Sequence, residues 1–458
     1  MLIHDDTIAA IATAPGEAGV SITRVSGPEA FAIAETLFDG KTRPSAMAGN
    51  SFAYGRLHAA DDGNATLDEV ILLAYRAPHS YTRDDVIEIQ SHGGSVSARR
   101  ILRAVLEAGA RMAEPGEFTR RAFLNGRLDL LQAEAVADLI RARSDRAASA
   151  AVEQLAGKLS DAFNQIYDNL ITVAADIEAT LDFAEEELPE ETLPALSARL
   201  RDVVQAMQDL LATWEEGHLL RDGALVVISG QPNVGKSTLM NALLGKSRAI
   251  VTDMAGTTRD TIEEHLVVDG VPLRLVDTAG IRDVDCVIEK EGIRRARASM
   301  DSADINIHML DASQALDTQD AAMLQRLDPQ RTIVVLNKSD LGNRVDTAAL
   351  PPDMAYCRSA LRRGEGLQAL TDALAEHLHV QHNAPPHAVI SERHRDLVHS
   401  ALGDTESALQ QLEDGGGDAP ILSSQAMREA LETLGTVTGR AYSDALLDTV
   451  FSRFCIGK

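Results

Sequence analysis

The stretch Gly230-Gln-Pro-Asn-Val-Gly-Lys-Ser237 decides how the chain must be read. It follows the apolar run 224–229, which has the composition of a short buried strand, and precedes 238–244, which reads as a helix. A strand, a G-x-x-x-x-G-K-S loop and a helix in that order form a phosphate-binding loop. Glycines let successive backbone N–H groups converge on phosphate, and the helix N-terminus adds its positive end. Lys236 is then expected to reach β- and γ-phosphates, and the Ser237 hydroxyl to take a Mg²⁺ position.

Downstream boxes extend this reading. Asp277-Thr278-Ala279-Gly280 ends a strand over 271–276, which the Asp269-Gly270 turn pairs with 264–268. Asp277 at that strand end can hold Mg²⁺ through water, and the Gly280 amide can sense a γ-phosphate. Asn337-Lys338-Ser339-Asp340 follows a strand over 332–336. The Asp340 carboxylate can accept from both N–H groups on a guanine edge, a donor pair adenine lacks. Ser359-Ala360-Leu361 fits the short loop that closes over the base, and Thr257-Thr258 falls where a switch threonine meets Mg²⁺. Together these boxes imply GTP binding and hydrolysis. The position after D-x-x-G is Ile281, which cannot orient water, and no arginine finger is evident. The Asn233 carbonyl oxygen can hold a monovalent cation beside the phosphates, doing the finger's electrostatic work. Glu289 is the candidate for orienting water, against the alternative of a solvated surface carboxylate.

A chain of 458 residues implies two or three domains, and 45% hydrophobic with 24% charged residues places it among globular proteins. No apolar run reaches the length of a membrane span, so no membrane partner is expected. Cys286, Cys357 and Cys455 are three, far apart and without C-x-x-C spacing, which points to a reducing, cytoplasmic compartment. The net charge of −26 repels nucleic acid as a whole, so any RNA contact needs a local basic patch. Aromatics at 3% argue against an extended base-stacking platform.

The expected fold class is multidomain. Residues 1–118 read as an α+β domain, with strands over 20–25, 69–75 and 86–90 and a helix over 95–108. Residues 119–220 read as helical: Leu128, Leu131, Ala135 and Leu139 share one face, as do Ile166, Leu170, Val173, Ile177 and Leu181. Leu196, Leu200, Val203, Met207, Leu210 and Trp214 form a heptad seam read as core. Residues 221–380 alternate strand and helix, as a P-loop (Ras-like) α/β G domain does. Residues 381–458 are helical again and too few for their own core. They are expected to pack on the earlier helices, making the α/β domain an insertion.

The phosphate loop, Thr252-Asp-Met-Ala-Gly-Thr-Thr-Arg-Asp260 and the ending Cys455-Ile-Gly-Lys458 resemble the MnmE (TrmE) family of tRNA-modification GTPases. So do Tyr81-Thr-Arg-Asp-Asp-Val-Ile-Glu-Ile-Gln90 and Pro115-Gly-Glu-Phe-Thr-Arg-Arg-Ala-Phe-Leu-Asn125, and the likeness runs from end to end. The resemblance implies a nucleotide site of Asn233, Val234, Gly235, Lys236, Ser237 and Thr238 with Thr252, Asp253, Met254, Ala255, Gly256, Thr257 and Thr258. Asp277, Thr278, Ala279, Gly280, Asn337, Lys338, Asp340, Ser359, Ala360 and Leu361 complete it. It implies K⁺ on Asn233, Thr252, Met254 and Thr257, Mg²⁺ on Ser237 and Thr258, and Glu289 as the water-orienting residue. It implies a homodimer through the N-terminal domain, with G domains that face each other and close in the GTP state. A tetrahydrofolate (5,10-methylene or 5-formyl) is implied on Arg24, Glu88, Arg127 and Lys458, and an FAD-containing MnmG (GidA) partner in a heterotetramer. FAD would come only through that partner. The two together would act on C5 of the wobble uridine (U34) of certain tRNAs, attaching an aminomethyl or carboxymethylaminomethyl group.

Three features have simpler readings. Cys455, at the end of an apolar helix, reads as core by motif, while the resemblance gives it a catalytic place near the folate. Arg120, Arg121, Arg127, Arg141, Arg143 and Arg146 read as solvated helix faces, some of them candidates for tRNA phosphates. His92 reads as a turn residue. The competing whole-chain reading is a ribosome-assembly or membrane-remodelling GTPase switch, which the folate-type N-terminal domain and the Cys-Ile-Gly-Lys ending oppose.

Overall fold

The computed structural model describes residues 6–59, 65–182, 192–246, 263–277, 300, 302–378, 390–414 and 418–458. Two compact units divide the chain. One comprises Met1–Ala137, Leu155–Val203 and Gly403–Lys458; the other comprises Asp138–Gln154 and Val204–Leu402.

The first unit begins with strands β1 (Ile8–Ile11), β2 (Val20–Ser26), β3 (Phe38–Gly40), β4 (Ser51–His58), β5 (Thr66–Tyr75), β6 (Val86–His92) and β7 (Arg111–Met112). They form one sheet in the order β3-β4-β5-β6-β2-β1-β7, antiparallel except for the parallel β1–β7 pair. Helices α1 (Ala30–Leu37) and α2 (Ser95–Glu107) cover one face, packing Ile33, Leu37, Ile101 and Val105 with Leu57, Leu72 and Ile89. The period-two alternation of a strand sends Ala53 and Leu57 inward and leaves Phe52 and Tyr54 outward, 73% and 62% exposed. The α+β domain expected from the sequence is present.

Helices α3 (Glu117–Leu124), α4 (Leu130–Arg141), α5 (Asp145–Leu155) and α6 (Lys158–Asp182) follow. Leu131 and Ala135 are buried as expected, but Leu128 lies ahead of α4 and not on its face. The reason is a reciprocal cap: the Gln132 amide donates to Asp129 Oδ1 at 2.8 Å, and the Asp129 amide donates to Gln132 Oε1 at 3.1 Å. In α6, Ile166, Leu170, Val173 and Ile177 are buried, and the helix packs along Ala419–Thr438. Arg428 pairs with Glu178 at 2.7 Å across that contact. The last helix, Asp444–Phe451, brings Leu447, Val450 and Phe451 onto Phe123, Leu130 and Val136. Residues 419–454 thus share a core with the earlier helices of this unit.

Two further helices are α7 (Thr192–Ala212) and α8 (Trp214–Asp222). Leu196, Leu200, Val203, Met207 and Leu210 are buried, yet the seam stops short of Trp214. Thr213 interrupts the helix, and Trp214 is half-buried, stacked 4.8 Å from His218 with the Arg395 guanidinium 4.6 Å above its ring.

The second unit holds β8 (Ala224–Gly230), β9 (Glu263–Val268), β10 (Val271–Asp277), β11 (Ile305–Asp311), β12 (Thr332–Asn337) and β13 (Ala355–Arg358). Their order is β13-β12-β11-β8-β10-β9, parallel except for the β9–β10 hairpin. Asp269 and Gly270 turn that hairpin with φ of 48° and 82°, the left-handed pair a two-residue hairpin requires. The central strands are buried on both faces and read as near-continuous apolar runs, as parallel strands do. Among the described residues, no helix is long and apolar enough to cross a membrane.

Candidate nucleotide and cofactor sites

The phosphate loop leaves β8 at Gly230 and enters α9 (Lys236–Lys246). Gly230 sits at φ 136°, and a Cβ there would lie 2.4 Å from the Met309 carbonyl oxygen. Gly235 sits at φ 112°, where a Cβ would lie 2.3 Å from Asn337 Nδ2. Side chains are thus excluded at both glycines by backbone conformation and by neighbouring atoms. Asn233 adopts the left-handed region at φ 64° and is exposed on the loop. Buried Lys236 aims its ammonium into the loop, donating to the carbonyls of Gly230 at 3.0 Å and Gln231 at 2.8 Å. Ser237 and Thr238 open the helix, exposed. The Gln231 amide ties the loop to Asp317 at 2.7 Å and Asp320 at 3.1 Å.

The base-recognition boxes meet the loop through Asn337. Its Nδ2 donates to the Val234 carbonyl at 2.8 Å, while its Oδ1 accepts from Ser359 Oγ at 3.2 Å and the Leu361 amide at 3.3 Å. One buried amide therefore fixes three segments that are far apart in sequence. Lys338, left-handed at φ 61°, pairs with Asp311 at 2.7 Å. The Asp340 carboxylate lies 3.3 Å from Arg363 at the same end of the sheet, and Ala360 is buried in the adjoining loop. Beneath the phosphate loop, His308 Nδ1 shares a 2.9 Å hydrogen bond with Ser229 Oγ. Burial, and then the Lys236 charge, push the His308 imidazole down to about 4, so it is neutral at pH 7.

Asp277 ends β10 on the strand paired with β8. Thr252, Asp253, Met254, Ala255, Gly256, Thr257, Thr258, Thr278, Ala279, Gly280 and Glu289 lie outside the described residues, as do Ile281 and Cys286. Gln231, Asp311, Arg363, Ser229 and His308 were missed in the sequence. Only Gln231 carried a signal, by lying inside the loop motif.

In the first unit a cavity of about 530 Å³ is lined by Tyr75, Tyr81, Val86, Glu88 and Arg127 among others. Arg24 pairs with Glu88 at 2.8 Å across neighbouring strands, and its guanidinium stands 5.1 Å above the Tyr81 ring. Arg127 reaches the same ring at 4.8 Å and donates to the Tyr81 carbonyl at 2.7 Å. The chain's end closes against this group: Ile456 bridges Pro115, and Arg24 Nη1 donates to the Gly457 carbonyl at 3.3 Å. Lys458 is half-buried there, and burial followed by the Arg24 charge lowers its ammonium pKa while Glu88 opposes. Arg24, Glu88, Arg127 and Lys458 are thus brought to one place. A cavity of this size with aromatic walls and a few charged groups is of the kind that holds a small organic ligand.

Three expectations are corrected. Cys455 is exposed and not core, because the chain leaves the last helix before it and its carbonyl accepts from the Gly116 amide at 3.4 Å. His92 closes β6, and its Nδ1 lies 2.7 Å from Asp68, so it is a strand residue with a carboxylate partner. The six arginines are not all solvated faces: Arg127, Arg141 and Arg143 are exposed, but each of the six has a partner. Arg121, 2% exposed, pairs with Asp6 at 2.7 Å and Glu117 at 3.0 Å; Arg120 pairs with Asp448 at 3.0 Å. Arg127 holds Tyr81, Arg143 meets His265, and the Arg146 stem lies against Gly270. Arg141 also has a bonded or electrostatic partner.

A phosphate loop between a buried strand and a helix, locked by an Asn-Lys-Ser-Asp box, defines a P-loop guanine-nucleotide-binding domain within a larger protein. Comparison with known proteins is more particular. The family signature "MnmE helical domain" matches residues 130–455, and "GTP-binding protein TrmE N-terminus" matches 7–127. The tRNA modification GTPase MnmE of Lactiplantibacillus plantarum is 44% identical, covering 99% of this chain and 98% of that protein. That of Syntrophotalea carbinolica is 42% identical over the whole of both, and that of a Synechococcus strain is 44% identical over 99% and 98%. The chain belongs to the MnmE family.

Proposed function

We propose that this chain is a K⁺-dependent GTP hydrolase that, with an FAD-containing partner, modifies C5 of the wobble uridine of certain tRNAs. The one-carbon unit would come from a tetrahydrofolate held in the N-terminal cavity. The observation that carries this reading is the gathering of Arg24, Glu88, Arg127 and Lys458 from four separate segments, with Glu88 and Arg127 lining a cavity. A GTPase acting only as a switch has no use for it. The segments 1–118, 119–220, 221–380 and 381–458 would then serve as folate and dimerisation domain, helical arm, G domain and arm completion.

In the G domain, Lys236 and the loop amides would bind the β- and γ-phosphates, and Asp340 would select guanine. Ser237 and Thr258 would hold Mg²⁺, and Asn233, Thr252, Met254 and Thr257 would hold K⁺. Those cations supply positive charge at the oxygens where negative charge develops. Glu289 would orient water. In the N-terminal cavity, Arg127 and Lys458 would bind the anionic tail, and Glu88 would accept from the ring N–H groups. Cys455, exposed beside that group, would sit within reach of the folate and the base. The outward Phe52 and Tyr54 support dimerisation through the sheet face opposite α1 and α2.

Two measurements test this. GTP turnover at equal ionic strength should be much faster in KCl than in NaCl; equal rates would remove the role of Asn233. Mass spectrometry of digested tRNA from a deletion strain should show loss of the C5 group. An intact modification would favour a switch that assembles ribosomes or remodels membranes.

A further inference from the structure

The chain carries 43 basic against 69 acidic residues, so its arginines are expected to be paired, and the six near the helical arm all have partners. Helix α2 is different. Its sequence, SVSARRILRAVLE, places Arg99, Arg100 and Arg103 at i, i+1 and i+4 with no acidic residue before Glu107. At 100° per residue, Val96, the three arginines and, one turn past Arg103, the exposed Glu107 fall within one arc of the helix, opposite Ile101, Leu102 and Val105, which are buried. All three arginines are exposed, and among the described residues none makes an ion pair or hydrogen bond. Val96 on the same face is 62% exposed. At the helix start, His92 and Ser97 both bind Asp68, which engages that carboxylate.

Three unpaired guanidiniums spaced over about 6 Å of helix axis are a cationic strip. At physiological ionic strength the field of distant carboxylates is screened beyond about 8 Å, so such a strip acts locally despite the overall charge of −26. Arginine forks match phosphate oxygens bidentately, and the strip offers no aromatic platform or apolar groove for other ligands. It also lies on the sheet face opposite Phe52 and Tyr54, so a dimer formed there leaves it open.

We propose that the Arg99–Arg100–Arg103 face of α2 docks the phosphate backbone of the tRNA substrate. The proposal rests on the reading of this chain as a tRNA-modifying protein. It assigns RNA contact to a helix of the N-terminal domain and not to the arginines near the helical arm.

The test uses the full chain and an in vitro tRNA transcript with uridine at the wobble position. Binding is followed by fluorescence anisotropy between about 50 and about 200 mM salt. The triple variant R99Q/R100Q/R103Q is expected to bind at least about tenfold more weakly. Its log–log salt slope should fall by about 2 to 3, near one per lost phosphate contact. The triple Lys variant should keep the slope, and RNA-free GTP turnover should be unchanged in both. An unchanged slope in the Gln variant overturns the proposal, even if modification falls. Loss of association with the FAD-containing partner at unchanged slope overturns it too and gives the face to a protein. Failure of the wild-type chain to bind or modify any tRNA would overturn the functional reading as well, and is distinguishable from the other outcomes.

Discussion

The nucleotide loop and the N-terminal cavity both gather cationic groups, but they assemble them in opposite ways. The loop draws its donors from eight consecutive residues, mostly backbone N–H groups fixed by Gly230 and Gly235. The cavity site draws together the side chains of residues 24, 88, 127 and 458, each from a different element, with Glu88 and Arg127 on its wall. A contiguous site concentrates its function in one or two irreplaceable atoms. A gathered site spreads it, and depends on the packing that brings its parts together.

The largest effect should therefore come from the loop. Lys236→Ala is expected to lower GTP turnover roughly 10³-fold, the upper end of what one preorganised donor in such a site is worth. Phosphate release measures this, and folate binding by calorimetry should be untouched. Retained turnover would break the contrast. Next comes Asp340→Asn. The lost pair of charge-assisted hydrogen bonds, at about 1.5–3 kcal/mol each, predicts about 10²- to 10⁴-fold weaker GTP binding. Xanthosine triphosphate, whose edge suits the asparagine, should bind better to the variant than GTP does.

The same contrast explains what could be read from sequence. The strand–loop–helix at 224–244 and the Asp269-Gly270 hairpin were legible because local chemistry dictates them. The carboxyamide of Asn337 was placed in its box, but its bonds to Val234 and Leu361 were not, because nothing along the chain reveals a neighbour 24 or 103 positions away. The four cavity residues came from resemblance alone, since no spacing links position 24 to 458. Leu128 and Trp214 were misplaced where a cap at Asp129 and a break at Thr213 overrode the apolar period. The arginine stretch misled because pairing is a property of the fold: Arg121 looked like surface charge and is 2% exposed.

That residue supplies the third prediction, a test of whether the gathered site rests on its packing. Arg121→Ala leaves Glu117 buried and short of one partner, which should cost about 3–5 kcal/mol of the first unit's stability. Thermal melting should show it, while GTP turnover at low temperature should hold. The pH dependence has a defined sign. Burial raises the Glu117 carboxyl, but Arg111, the Glu114 amide and Arg121 together hold it below its usual 4.5. Its contribution is present above 4.5 and is lost as pH falls toward the depressed folded value. In Glu117→Gln that part of the acid destabilisation should disappear.

The smallest effect is expected at Lys458, and its size matters most to the contrast. Removing this one residue leaves the Arg24–Glu88 pair and Arg127 on the Tyr81 carbonyl in place, so folate binding should weaken only about tenfold, one charge-assisted hydrogen bond's worth. Calorimetry on the truncated chain measures it. Burial and Arg24 hold the Lys458 ammonium below its usual 10.5, so folate affinity should decline with rising pH sooner than an ordinary lysine would allow. That early decline should be missing from the truncated chain. A loss as deep as that of Lys236→Ala would mean that the cavity, too, hangs on a single group, and its gathering from both chain ends would then serve to deliver that lysine.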